Sequence, residues 1–317
     1  MALAVVSGRM YRIALKEKIV SEVATNTELA GLIRTYAELV DSRLRDYLQK
    51  LAGPKRLLEA MCYASLAPGK RIRPALVLMC DEACGGHNKT ALSAACAVEM
   101  IHAYSLVHDD LPSMDDDDLR RGRATTHKVF GEAVAILAGD ALLTEAFGII
   151  AKEISSEKLA KSLVTELVEA AGAGGMVGGQ SADMLAQQSD GDAEMLQYIH
   201  SHKTGKLIRA SCRMGALTAG ATEEQLLAVG SYGELVGMAF QVIDDLLDVN
   251  GDADLLGKAT GKDDGAGKLT YPSLLGSRAA HQKVRSLSQE AASVLRPLGQ
   301  RGQKLLLLAK MLAQRVA

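Results

Sequence analysis

The chain has no tryptophan, three phenylalanines and six prolines in 317 residues. So few aromatics, with few β-branched runs, leave little from which to build a sheet core. So few prolines leave long stretches in which a helix meets no break. The net charge of −2 excludes bulk attraction to nucleic acid or anionic lipid, while leaving local patches of either sign open. The five cysteines, Cys62, Cys80, Cys84, Cys96 and Cys212, are odd in number and irregular in spacing. Cys80 and Cys84 share a helix face, but no His or Cys pair completes a zinc set, so buried thiols in a reducing cytosol are expected. No apolar run reaches the roughly 18 residues that span a bilayer, so no stable membrane insertion is expected and the chain is read as cytoplasmic.

What is present is helix-forming. Ala, Leu, Glu, Lys and Met fill most segments, and a hydrophobic content of 48% suits a large globular core. Helical periodicity starts near Glu28, where Leu29, Leu32, Ile33, Tyr36 and Leu39-Val40 follow the i, i+3, i+4, i+7 pattern. Leu92 to His108 is apolar nearly all round, as a buried central helix would be, and Val134–Ile150 and Tyr232–Val249 read the same way. Punctuation falls at Gly53-Pro54, Gly85-Gly86, Gly122, Gly172 to Gly179, Gly220 and Gly251 to Gly267. No alternating strand pattern and no linker stand out. The expected architecture is all-α, one large domain over residues 29–317 preceded by an extension, residues 1–28. Met1 to Val6 is apolar but too short for a signal-peptide core, and Arg9, Arg12 and Lys16 precede the first acid, Glu17. Both an organelle-targeting signal and a frayed or helical extension fit that stretch, the second better.

Two aspartate clusters carry the chemistry. Asp109, Asp110 and Asp115, followed by Asp116, Asp117 and Asp118, form the first; Asp244, Asp245 and Asp248 form the second. Each ends a strongly apolar helix, where carboxylates repel the negative end of the helix dipole and call for a cation. Asp244 and Asp248, four apart, project from one face. Asp109 and Asp115, six apart, diverge on a straight helix, but Pro112 should break it and let a turn return Asp115 to Asp109. One such run is usually a solvated surface. Two at the ends of apolar helices favour Mg²⁺, a hard cation that bridges carboxylates to substrate phosphates. An EF-hand starting at Asp248 fails, with Ala253 at position six and Ala259 at position twelve, and Gly267-Lys268-Leu269 is no phosphate loop of the Walker kind.

Cations gather nearby in sequence. Gly69-Lys70-Arg71-Ile72-Arg73-Pro74 places Lys70 and Arg73 on one helix face with Arg71 pointing away; Arg120-Arg121 follows the first acidic run; His202-Lys203-Thr204 and Lys258, Lys262 and Lys268 lie further on. Guanidinium pairs match phosphate oxygens bidentately and Lys serves as a point charge. Cations beside dense carboxylates suggest a site for two polyanions, one held through metal and one directly.

Taken in order, Gly-Lys-Arg-x-Arg-Pro, Asp-Asp-x4-Asp with Arg-Arg-Gly, Gly178-Gly179-Gln180-x-x-Asp183, Lys203-Thr204 and Phe240-Gln241-x-x-Asp244-Asp245-x-x-Asp248 resemble the trans-isoprenyl diphosphate synthases from about Leu29 to the C-terminus. Within that family the likeness is to the bacterial type that makes farnesyl diphosphate. The resemblance implies an isoprenoid synthase fold of about ten core helices around a central cavity, and a homodimer. It implies about three Mg²⁺ ions, or Mn²⁺, held by Asp109, Asp115 and Asp244 with Asp110, Asp245 and Asp248 in support. Arg120, Lys203 and Lys258 would contact the allylic diphosphate. Gly69, Lys70, Arg73, His102 and Arg121 would bind isopentenyl diphosphate, and Thr204, Gln180 and Gln241 would line the reacting centre. Where the family commonly has Gly-Gly before the Lys-Arg pair, this chain has Pro68-Gly69.

The implied reaction is ionisation of an allylic diphosphate, attack by the isopentenyl double bond and loss of a proton, with released pyrophosphate as the base. Chain length would be limited by Tyr104, followed by Ser105, which helical rise puts about 7.5 Å below Asp109. The other reading of Tyr104 is a core residue with a satisfied hydroxyl. An aromatic here implies farnesyl diphosphate (C15), with geranylgeranyl diphosphate (C20) as the alternative. A terpene cyclase would not need Lys70, Arg73 and Arg121, a non-catalytic synthase subunit would be expected to lose an aspartate cluster, and a structural bundle leaves the acidic helix ends unexplained.

Overall fold

The structure is a computed structural model that describes residues 27–87, 89–186, 192–249 and 270–314. Its elements in chain order are α1 (27–48), α2 (Lys55–Ser65), α3 (Ile72–Ala83), α4 (Ala91–Asp109), a hairpin of β1 (Leu119–Arg120) and β2 (Arg123–Ala124), α5 (Thr126–Phe130), α6 (Glu132–Glu153), α7 (Glu157–Ala171), α8 (Met176–Ala186), α9 (Ala193–Ile199) and a π-helical turn (His200–Gly205). They continue with α10 (Lys206–Thr218), α11 (Glu223–Val249), α12 (Tyr271–Leu275), α13 (Ser277–Val294), a 3₁₀ turn (Arg296–Gly302) and α14 (Gln303–Gln314). The all-α expectation holds. The two-residue strands, absent from the sequence reading, are too short for any period-2 pattern to announce them.

Helix α4 is the axis. Its residues are apolar on every side because α3, α6, α2 and α10 surround it, and Ala94, Ala95, Cys96, Ala97 and Val98 are all fully buried. Small residues there let neighbouring helices approach closely. Helix α1 lays one stripe against this core: Leu29, Tyr36, Val40 and Leu44 are buried, while Leu39 faces solvent. Helix α11 packs between α10 and α13, and the charge of Asp244 near its C-terminal end reaches Arg73 at the start of α3.

Two expectations need correction. Helix α6 is not a central helix: Ala135, Ala138 and Leu142 are buried, but Ile136 and Leu137 are 44% and 55% exposed. Composition cannot distinguish a helix enclosed by its own chain from one with an apolar outer face. Helices α6 and α11 are also long and apolar enough, by length and composition, to cross a membrane, contrary to the sequence reading. The few charges within each had masked this, and α11 spends most of its apolar stretch on the protein core. Of the five thiols, four are buried and Cys62 is half-buried, and all are free. Burial raises the Cys84 thiol to about 11 and the Cys96 thiol still higher, which keeps both protonated.

Candidate active site

The chain leaves α4 at Asp109, and the backbone N–H of Asp115 donates back to the Asp109 carbonyl at 2.8 Å. Pro112 stands in the turn between them, so the expected return of Asp115 to Asp109 is observed. Burial raises the Asp109 carboxyl to about 6; Lys203 and Arg120 pull it down, while Asp115 and Asp110 push it further up. Asp110 is buried and differently occupied, with Arg120 Nε and an Nη atom donating to its Oδ1 at 2.7 and 2.6 Å. The remaining acids turn aside. Asp117 lies 3.9 Å from Arg120, Asp118 pairs with Lys128 at 2.6 Å, and Asp116 and Asp118 approach His127.

The hairpin explains why two arginines stand in sequence. Arg121 and Gly122 form its two-residue turn, both with positive φ (52° and 74°), the conformation that matches the twist of paired strands. The turn sends Arg120 to Asp110 and Arg121 the other way, where its Nη1 donates to the Pro68 carbonyl at 2.6 Å. A Cβ on Gly69 would collide with the Arg121 guanidinium. Position 68 contributes its carbonyl, which proline has as glycine does, and the Arg121 guanidinium occupies the space that a side chain at position 69 would take.

Lys70 and Arg73 do not share a helix face, because α3 begins at Ile72 and Lys70 precedes it. Arg71 is not a bystander either. In the left-handed conformation (φ 49°) its buried guanidinium donates to Asp41 and Glu99, both at 2.7 Å, and to the Ser65 and Ala67 carbonyls, both at 2.9 Å. It ties α1, α2 and α4 together. Arg73 has a buried Nε bonded to no protein group. Burial lowers its pKa, Glu99 and Asp244 oppose that, and Arg121 adds to it. His102, on α4, is driven well below its ordinary pKa by burial and by Arg73, Arg121, Arg120 and Arg71, so it is neutral. His102, Glu99, Arg120 and Arg121 help line a cavity of about 50 Å³ against α4.

The π-helical turn carries Lys203 and Thr204. Such turns widen a helix by one residue and recur at functional sites. Lys203 Nζ donates to Asp183 at 2.6 Å, a buried partner that the motif contained but sequence reasoning left unassigned. Gly178 and Gly179 lie inside α8 rather than in a loop, and a Cβ on Gly179 would strike the Lys203 backbone. Helix α8 can therefore press directly on the turn. One residue later, both side-chain polar atoms of Gln180 are buried with no hydrogen-bond partner in the protein. Asp245 is held by the Tyr271 N–H at 2.8 Å and lies 3.7 Å from His200 Nε2. Gln241, Asp244 and Asp248 share α11 with it. Tyr104 is 5% exposed beneath Asp109, whose charge, after burial, raises its hydroxyl to about 12. Ser105 bonds the His102 carbonyl. Lys258, Lys262, Lys268 and the residues of the rejected EF-hand from Asn250 onward lie outside the described residues, as do residues 1–26.

The charges of the two acidic helix ends and of the basic motif are linked in a chain: Asp109 feels Lys203 and Arg120, His102 feels both Arg120 and Arg73, and Arg73 feels Asp244. Residues 54–296 match the family model described as polyprenyl synthetase. The chain belongs to that family. It is 45% identical to the farnesyl diphosphate synthase of Geobacillus stearothermophilus over 88% of this chain and 95% of that one. It is 47% identical to geranylgeranyl pyrophosphate synthase 4 of Arabidopsis thaliana over 79% and 68% of the two chains. Among solved structures, the FPP/GFPP synthase of Zymomonas mobilis superposes with a TM-score of 0.82 at 34% identity, covering 90% of this chain and 99% of that chain. For a member of this family, the burial of so many ionisable groups around one hollow has a chemical reason, since isolated charges are not otherwise tolerated away from water.

Proposed function

We propose that the protein is a trans-prenyltransferase that condenses isopentenyl diphosphate with dimethylallyl and then geranyl diphosphate, with farnesyl diphosphate (C15) as the main product. The observation that carries this is the convergence of two carboxylate clusters with a buried basic motif. The high identity to a bacterial farnesyl diphosphate synthase supports the product.

A divalent cation fits the donor set. Burial, with Asp115 and Asp110 beside it, raises the Asp109 carboxyl to about 6, a cost that a bound cation would reduce. Asp109, Asp115 and Asp244 are the residues assigned to about three Mg²⁺ ions, or Mn²⁺. Asp110 and Asp245 are engaged by Arg120 and by Tyr271 and serve in support, with Asp248. Bound magnesium would neutralise the leaving diphosphate and so lower the barrier to ionisation.

The chain's own groups do the rest. Lys203 and Arg120 meet the allylic diphosphate, joined by Lys258. Gly69, Lys70, Arg73, Arg121 and neutral His102 receive isopentenyl diphosphate, His102 by hydrogen bonding rather than charge. Gln180 has unmet hydrogen-bonding capacity, and with Thr204 and Gln241 it lines the reacting carbons. Apolar surroundings exclude water from the allylic cation, and departing pyrophosphate takes the proton. Tyr104 limits the product to C15 rather than C20. The exposed apolar face of α6, with Ile136 and Leu137, supports a homodimer. The enzyme is assigned to the cytoplasm, with no nucleic-acid partner and no stable membrane insertion.

The test is incubation with isopentenyl and dimethylallyl diphosphates plus Mg²⁺, with chromatography of the dephosphorylated products. Farnesol as the main alcohol, lost on chelation, is expected. Absence of any condensation product, or geranylgeraniol alone, would overturn the assignment.

A further inference from the structure

Tyr104 does not hold its position alone. The next residue on its flank of α4, four positions on, is His108, whose ring stands edge-on to the Tyr104 ring at 5.8 Å between centroids and 78° between planes. His108 is in turn anchored to α6: its Nε2 lies 3.0 Å from the Ile136 carbonyl. A carbonyl only accepts, so Nε2 carries the proton and the tautomer is set. The ring fits there because position 139 has no side chain. A Cβ built on Gly139 would overlap three atoms of the His108 ring. The α4–α6 seam thus contains a slot of one residue's width, filled by a histidine that stands edge-on to the Tyr104 ring.

We propose that His108, seated in the slot left by Gly139 and bonded to the Ile136 carbonyl, is a positioning residue that braces Tyr104 and thereby sets product length. This rests on the reading of Tyr104 as the residue that stops the growing chain. Chain-length control then lies in a packed unit spanning two helices rather than in one side chain. Without the brace the tyrosine ring gains room to turn away from the prenyl tail and a further isopentenyl addition follows. The neighbours of His108 make this specific. On its own helix it touches Tyr104, and across the seam it meets Ile136 and Gly139, so its loss changes this corner before any other.

The experiment is product analysis of four variants with isopentenyl and dimethylallyl diphosphates: Tyr104→Ala, His108→Ala, Gly139→Ala and the double variant Tyr104→Ala/His108→Ala. His108→Ala and Gly139→Ala should each raise the C20-to-C15 ratio at least about fivefold, and the double variant should match Tyr104→Ala within about twofold. A general loss of rate favours release of shorter chains, so it cannot produce the expected rise in the C20-to-C15 ratio, and His108→Ala keeps the test informative if Gly139→Ala does not fold. If Tyr104→Ala lengthens the product while His108→Ala leaves it at C15, the brace is wrong and the role of Tyr104 stands. If Tyr104→Ala itself leaves the product at C15, the role of Tyr104 falls, and the brace falls with it.

Discussion

Among single residues, Arg71 and Asp109 show how differently a buried charge can be used. Arg71 is heavily engaged: four hydrogen bonds to three helices and a loop, with Glu99 as its buried partner. Removing one member of such a pair strands the other, which typically costs about 3–5 kcal/mol. Arg71→Met should lower unfolding stability by that amount in urea titrations, and Arg71→Met/Glu99→Leu should recover at least half of it. Asp109 is the reverse case. The rise of its pKa from 3.8 to about 6 is worth about 3 kcal/mol against folding of the metal-free protein, because the charged form is disfavoured by burial and neighbouring carboxylates. That penalty is full above pH 6, shrinks as pH falls toward the unfolded value near 4, and vanishes below it. Asp109→Asn removes it. The metal-free variant should therefore melt higher than the parent at pH 7, with the two converging near pH 4, while its turnover falls by orders of magnitude. Equal melting temperatures at both pH values would refute the electrostatic account.

At the scale of elements, the site depends on how closely α8 approaches the π-helical turn. Gly179 makes that approach, since any Cβ there meets the Lys203 backbone. Gly179→Ala should move Lys203 off Asp183 and away from Asp109. We expect kcat to fall at least about tenfold and Tm to drop by several degrees, measured by steady-state kinetics and calorimetry. A variant with parental kcat and Tm would show that the two elements can separate without consequence. The hairpin is the other decisive element. Its turn puts Arg121 in the left-handed region, a conformation that arginine rarely adopts, and the bond to the Pro68 carbonyl holds it there.

For the whole molecule, the outer face of α6 matters most. Ile136 and Leu137 are large, apolar and exposed on a helix whose inner face is core, which makes this face the candidate interface of the proposed homodimer. Leu137→Glu should convert a dimer into monomers by light scattering coupled to size-exclusion chromatography. If the parent is already monomeric, or the variant still dimeric, this face is not the interface. The same helix supplies the Ile136 carbonyl to His108, so the proposed interface and the seam beside Tyr104 share one turn of helix.

Helix content was legible in the sequence because it is a local property: apolar spacing, good helix formers and scarce prolines act within a few residues of one another. The aspartates were legible too, since their placement at the ends of apolar helices is an electrostatic anomaly visible in one dimension. What lay beyond reach depended on partners far away in the chain. Arg71 looked idle because Asp41 and Glu99 are 30 and 28 residues away, and nothing local links them. Asp183 gained its meaning from Lys203, Gly69 from Arg121 and Gly139 from His108. α6 and α4 have similar composition, and only packing decides which is enclosed. Local free energy favours helix residue by residue, but whether a charge is neutralised, a glycine required or an apolar face covered is decided only when distant segments come together.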